Sequence, residues 1–99
     1  MTQPLDKDAI DLALAALPGW RFENDKLTKK FVFANFRESM CFLVRMSFEA
    51  EQRNHHPEVF NVYKTVQLWL TTHDAGGRVT ALDVELAAAI EEAIAGDDE

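Results

Sequence analysis

Val59-Phe60-Asn61-Val62-Tyr63-Lys64-Thr65-Val66-Gln67-Leu68-Trp69-Leu70-Thr71-Thr72 alternates in polarity on both sides of a short break at Lys64-Thr65. Alternation in β-branched and aromatic residues is the mark of strands, so Val59 to Tyr63 and Val66 to Thr72 read as a hairpin. In its second strand Val66, Leu68 and Leu70 share one face, and Gln67, Trp69 and Thr71 the other, with His73 at or just beyond the end. Immediately before the hairpin stands His55-His56-Pro57. A proline pushes its predecessor out of the α region, so a helix arriving there ends by about His55, and the histidine pair is a helix-to-strand joint.

The helix that arrives is signalled by Asn35 with Glu38 three residues on, a capping-box-like start, followed by Phe36, Met40, Leu43, Val44 and Phe48 at helical spacing toward Arg53. It is expected to be the most buried helix. Before it, Trp20 to Glu23, a turn at Asn24-Asp25, and Leu27 to Phe33 read as another hairpin. The first helix spans about 6 to 17, with Asp6 as N-cap, Leu5 and Ile10 as a staple, and Pro18-Gly19 as the stop. After the turn Asp74-Ala75-Gly76-Gly77, Thr80 and Asp83 cap a last helix whose stripe is Leu82, Leu86, Ala89, Ile90 and Ala93, with Gly96 as its end. The order αββαββα predicts an α+β fold, a four-stranded antiparallel sheet with helices on one face.

Ninety-nine residues suit one domain over 1–99, with 96–99 as an acidic tail, and are too few for a Rossmann or barrel enzyme. The 47% apolar fraction is that of a globular chain, and no uncharged apolar run approaches the roughly 18 residues that cross a bilayer. Ten Lys and Arg against seventeen Asp and Glu leave a formal charge of −7, which argues against nucleic acid and anionic membrane as partners. A lone cysteine forms no internal disulfide, and the start Met1 to Asp8 lacks the basic and apolar segments of a signal peptide. A cytoplasmic protein is expected. Cys41, inside an apolar helical stretch, is expected to be a buried thiol, and Met40 and Met46 core fillers.

All three histidines, His55, His56 and His73, fall within residues 55–73, each at an element end. Surface loops often hold histidine, so coincidence is one reading. The other is a site, since imidazole is the side chain whose unperturbed titration lies near neutral pH, as acid–base chemistry needs. Glu51 precedes His55 by one helical turn. If the helix persists that far, its carboxylate orients the imidazole; otherwise Glu51 is an ordinary solvated acid.

Together these positions, Glu51, three residues, His55-His56-Pro57, five residues, Tyr63, nine residues, His73, nine residues, Asp83, resemble the signature of the pterin-4a-carbinolamine dehydratase family, also called the dimerisation cofactor family. His55-His56-Pro57-Glu58, Phe60-Asn61-Val62-Tyr63 and Thr72-His73 stand as in many members. Val59, where many members carry tryptophan, and Trp69, in place of a smaller residue, depart from the pattern. The resemblance implies a hydro-lyase that removes water from 4a-hydroxytetrahydrobiopterin or a related reduced pterin, giving the quinonoid dihydropterin in tetrahydrobiopterin recycling beside an aromatic amino acid hydroxylase. The pterin is the substrate, and no cofactor and no metal are implied. By similarity His55, His56 and His73 are catalytic and bind the pterin, and Glu51 orients His55. Tyr63 reads as a strand residue packing its ring in the sheet, and Asp83 as a carboxylate answering the free amides of the last helix.

Two other readings compete with this one. Three histidines with an open position describe a zinc centre, but adjacent His55 and His56 diverge in most backbone conformations. The resemblance also extends to non-enzymatic regulatory modules, although all three histidines are retained here. A homo-oligomer is expected, because the open sheet face would leave the Trp69 indole uncovered. The family resemblance implies dimers joined edge to edge, sometimes paired into tetramers; the dimer is favoured, as the helix faces are not visibly sticky.

Overall fold

The computed structural model describes residues 3–97, the side chains of 96 and 97 excepted. Helix α1 (Lys7–Ala15) is followed by strands β1 (Arg21–Glu23) and β2 (Lys26–Val32), helix α2 (Phe36–Gln52), strands β3 (Glu58–Val62) and β4 (Thr65–Leu70), and helix α3 (Ala81–Asp97), so the order is αββαββα. The two antiparallel hairpins join through β2 and β4 into one sheet ordered β1-β2-β4-β3.

Alternation along β4 decides which way the sheet faces. Val66, Leu68 and Leu70 are fully buried, whereas Thr65, Gln67 and Trp69 on the opposite face are half-buried. In register with them, Leu27 stands opposite Leu70 and Phe31 opposite Val66, so β2 adds its own apolar residues to the same layer. Ile10 from α1, Leu17 from the turn that follows it (the helix ends at Ala15, not at 17), Phe42 and Met46 from α2, and Leu86 and Ile90 from α3 complete a single core against that face. The helix starts follow the local signals: the Asp6 carboxylate accepts from the Ala9 amide at 2.9 Å, and the Asn35 side chain accepts from the Glu38 amide at 2.9 Å.

Several expectations are corrected. The buried side of α2 is Ser39, Phe42, Met46 and Ala50, while Val44 and Phe48 are 56% and 68% exposed. This helix carries apolar residues on two sides, and the side that fits Phe31 and Phe33 of the sheet region through Phe42 is the one that packs. Cys41 is accordingly exposed and Met40 only half-buried. The outer face of α2 is thus visibly apolar, which removes the reason for preferring dimer to tetramer. Tyr63 lies in the β3–β4 turn with φ 52°, 59% exposed, and not in a strand. The Asn61 side-chain amide ties that turn, its Nδ2 donating to the Thr65 carbonyl at 3.0 Å. Helix α3 runs on through Gly96 to Asp97, and Asp98 and Glu99 of the acidic tail lie outside the described residues, as do Met1 and Thr2.

Candidate functional site

The end of α2 controls where the histidines go. Arg53 caps the helix, Asn54 turns into the left-handed region at φ 49°, the Asn54 amide donates to the Glu51 carbonyl at 3.1 Å, and the His55 amide donates to the Ala50 carbonyl at 3.0 Å. This pair of bonds is a Schellman motif, with asparagine in the place usually held by glycine. The chain therefore leaves the helix axis before His55, and His55 and His56 are free to diverge. Pro57, directly after His56, disfavours any return to helix before the chain enters β3 at Glu58.

The divergence is visible in their partners. The His55 side chain is 10% exposed, and its Nε2 lies 2.6 Å from Oδ1 of Asp83, which is fully buried. His56 is 58% exposed, and its Nε2 lies 2.9 Å from Oε1 of Glu51, itself 81% exposed. Glu51 thus meets His56 and not His55, because the helical turn that would have stacked it on His55 is ended at Gln52. The carboxylate that meets His55 comes from twenty-eight residues away, in the first turn of α3.

Asp83 also does what its position in the last helix predicts. Its Oδ2 accepts from the Thr80 amide at 2.9 Å and from the Thr72 hydroxyl at 2.8 Å. With the Thr72 hydrogen committed to Asp83, the Thr80 hydroxyl donates to Thr72 at 2.6 Å and accepts from the Leu82 amide at 3.2 Å. Thr72 directly precedes the 3₁₀ turn His73–Ala75, which Gly76 closes in the left-handed region at φ 79°. One buried network thereby anchors the segment carrying His73 and the side chain of His55.

The three histidines line one cleft of about 250 Å³, together with Asn54, Thr71 and Thr72. His56 also borders a more apolar hollow of about 470 Å³ against Met46, Phe48 and Pro57. A larger groove of about 740 Å³ follows the exposed side of α2 past Met40, Val44 and Phe48, but it contains no imidazole. Chemistry, not volume, selects the smaller cleft: three titratable rings converge there, two of them each paired with a carboxylate. Such a set can donate and accept protons at several points of a bound molecule. Tyr63 does not line this cleft. The Asp83–His55 contact was beyond sequence reasoning, although Asp83 itself stands in the spacing pattern.

A family model described as pterin 4 alpha carbinolamine dehydratase matches residues 3–93. A protein of Opitutus terrae, provisionally named a pterin-4-alpha-carbinolamine dehydratase, is 58% identical over 78 residues, 79% of this chain and 80% of the relative. One of Mesorhizobium japonicum with the same provisional name is 51% identical over 87 residues, 86% of this chain and 88% of the relative. The crystal structure of a transcriptional coactivator/pterin dehydratase from Brucella melitensis superposes with a TM-score of 0.86 at 33% identity, covering 91% of this chain and 97% of that one.

Proposed function

The chain belongs to the pterin 4 alpha carbinolamine dehydratase family and is a hydro-lyase of that kind, and we propose that it dehydrates 4a-hydroxytetrahydrobiopterin or a closely related reduced pterin through His55, His56 and His73. The reaction expels a hydroxyl from C4a and removes the proton from N5, giving the quinonoid dihydropterin and water. Hydroxide is a poor leaving group, so an acid must deliver a proton to that oxygen while a base or acceptor serves N5. The convergence of three imidazoles on one cleft carries this reading. His56 is exposed and backed only by an exposed carboxylate, the placing of a ring that exchanges protons with bound substrate and water; His73 borders the same space from the 3₁₀ turn. Glu51 orients His56 in this scheme.

The proposed chemistry needs no metal. Nε2 of His55 and Nε2 of His56 are each directed at a different carboxylate, which opposes their joining His73 around one ion. The test is to add the protein, stripped with a chelator, to an aromatic amino acid hydroxylase reaction and follow decay of the 4a-carbinolamine. Faster decay supports the reading. Unchanged decay, or activity abolished by chelation and restored by zinc, overturns it and favours the regulatory module or the zinc enzyme respectively.

The working form is proposed to be a homo-oligomer. β3 is an edge strand with one side unpaired, and its Val59, Phe60 and Val62 are 48%, 49% and 57% exposed. A long apolar edge is a template for pairing with another strand, and a second β3 running antiparallel would cover it. Trp69 is half-buried on the open sheet face, opposite Glu58 of β3 and close enough to the edge to feel that pairing. Among the described residues no helix is long and apolar enough to cross a membrane; we assign the protein to the cytoplasm, where a hydroxylase would supply its substrate.

A further inference from the structure

We infer that Asp83 is a positioning residue that locks His55 in the Nε2–H tautomer, so that His55 presents the lone pair of Nδ1 to a hydrogen-bond donor of the bound pterin. The inference rests on the dehydratase reading for the identity of the ligand, and on the proton inventory of the buried network for everything else.

That inventory runs through named atoms. Three donors converge on Asp83: the Thr80 amide and the Thr72 hydroxyl on Oδ2, and the His55 ring on Oδ1. Such a set suits an ionised carboxylate, which only accepts. The bond to His55 therefore requires a hydrogen on Nε2, and in the neutral ring this leaves Nδ1 without one. Among the described residues no fully buried side-chain nitrogen or oxygen lacks a partner. His55 makes its one side-chain hydrogen bond through Nε2, so Nδ1 must reach accessible space, and the space His55 lines is the histidine cleft.

Rigidity separates this pair from its neighbour. Both members of the Asp83–His55 pair are buried and the carboxylate is pinned from behind by two donors, whereas both members of the Glu51–His56 pair face water. The other ionisable groups lining the cleft with His55 are His56, His73 and Asp74, from the β3 approach and the 3₁₀ turn. None of them holds a ring nitrogen of His55. The two histidines thus divide the work: His55 is a fixed acceptor that orients the pterin, and His56 is free to carry a proton.

The test begins with the ligand-free wild type at mildly alkaline pH, where long-range ¹H–¹⁵N spectra distinguish a protonated from an unprotonated ring nitrogen. His55 is expected to show Nε2 protonated and Nδ1 bare. Asp83→Asn is the variant: its amide oxygen can still accept from Thr80, turning the NH₂ group toward His55 and reversing the tautomer. The expected result is a proton on Nδ1 and a kcat lowered on the order of 10–100-fold, by analogy with carboxylates that orient metal-bound histidines. A purely structural cap would lose stability but keep both tautomer and kcat. A wild-type Nδ1–H form, or a folded Asp83→Asn protein with kcat within about twofold of wild type, overturns the inference; if that variant fails to fold, the wild-type spectrum decides. The spectrum needs no activity, so a wild type that does not dehydrate carbinolamine sinks the functional reading while leaving the tautomer measurement to stand or fall separately.

Discussion

Truncating His55 to alanine should cost far more stability than the same change at His56, although the two are adjacent in the chain. His55 is 10% exposed and bonded to a carboxylate with no exposure at all. Removing the ring deletes a hydrogen bond to a charged group, worth about 1.5–3 kcal/mol, and leaves one oxygen of Asp83 without its donor. Lost packing adds to this, and water entering from the cleft offsets part of it, so the expected loss is about 2–3 kcal/mol. For a domain of this size each kcal/mol moves Tm by about 4–8 °C, which predicts a fall of roughly 8–24 °C. His56 and Glu51 are 58% and 81% exposed. A surface pair of that kind contributes little, and His56→Ala should change stability by no more than about 0.5 kcal/mol. Urea and thermal unfolding of both variants in one buffer make the comparison, and added salt should weaken only the His56 contribution. Equal losses, or a larger loss for His56→Ala, would mean that no buried His55–Asp83 pair exists.

Other outcomes follow from the same geometry. Glu51→Ala should lower kcat/KM, but less than His56→Ala, since the carboxylate is exposed and its pairing screened; steady-state kinetics showing the reverse order would remove Glu51 from the scheme. Asn54→Gly should fold as well as wild type, whereas Asn54→Val should lose about 1–2 kcal/mol because a β-branched residue is forced into the left-handed region, and denaturation curves showing no difference would deny the turn its role. Sedimentation equilibrium at micromolar concentration should give a mass above the 11.2 kDa of one chain, and a clean monomer there would contradict the oligomer. A dimer whose dissociation ignores Trp69→Ala would keep the oligomer but take Trp69 out of its interface.

Element order and element starts were legible because their signals are local. Asp6 and Asn35 cap the helices they were expected to cap, and the alternation of β4 assigns Val66, Leu68 and Leu70 to the core side. The face of α2 was not legible: both of its apolar stripes repeat at the helical period, and only the shape of the sheet chooses between them. Its end falls where the stripe pointed, with Arg53 as the C-cap. Pro57 sets an outer limit, but the left-handed Asn54 stops the helix earlier, and with it goes the stacking of Glu51 on His55. Tyr63 continues an alternating pattern in sequence, yet it forms the turn that the pattern runs into. At the site, the clustered histidines and the spacing around them pointed to the cleft, whereas the Asp83–His55 bond spans twenty-eight residues and exists only once α3 docks beside the end of α2. A capping carboxylate uses one oxygen on its own helix, and what the second oxygen meets is a tertiary fact.

In the proposed reaction the histidines of one small cleft dehydrate a pterin carbinolamine. Carbinolamine decay followed with wild type and with a folded His56→Ala, His73→Ala double variant, both stripped of metal, decides whether they do. Wild type should accelerate decay markedly, and the double variant should leave it near background, apart from what binding and His55 still supply. Equal acceleration by the two proteins would contradict that role.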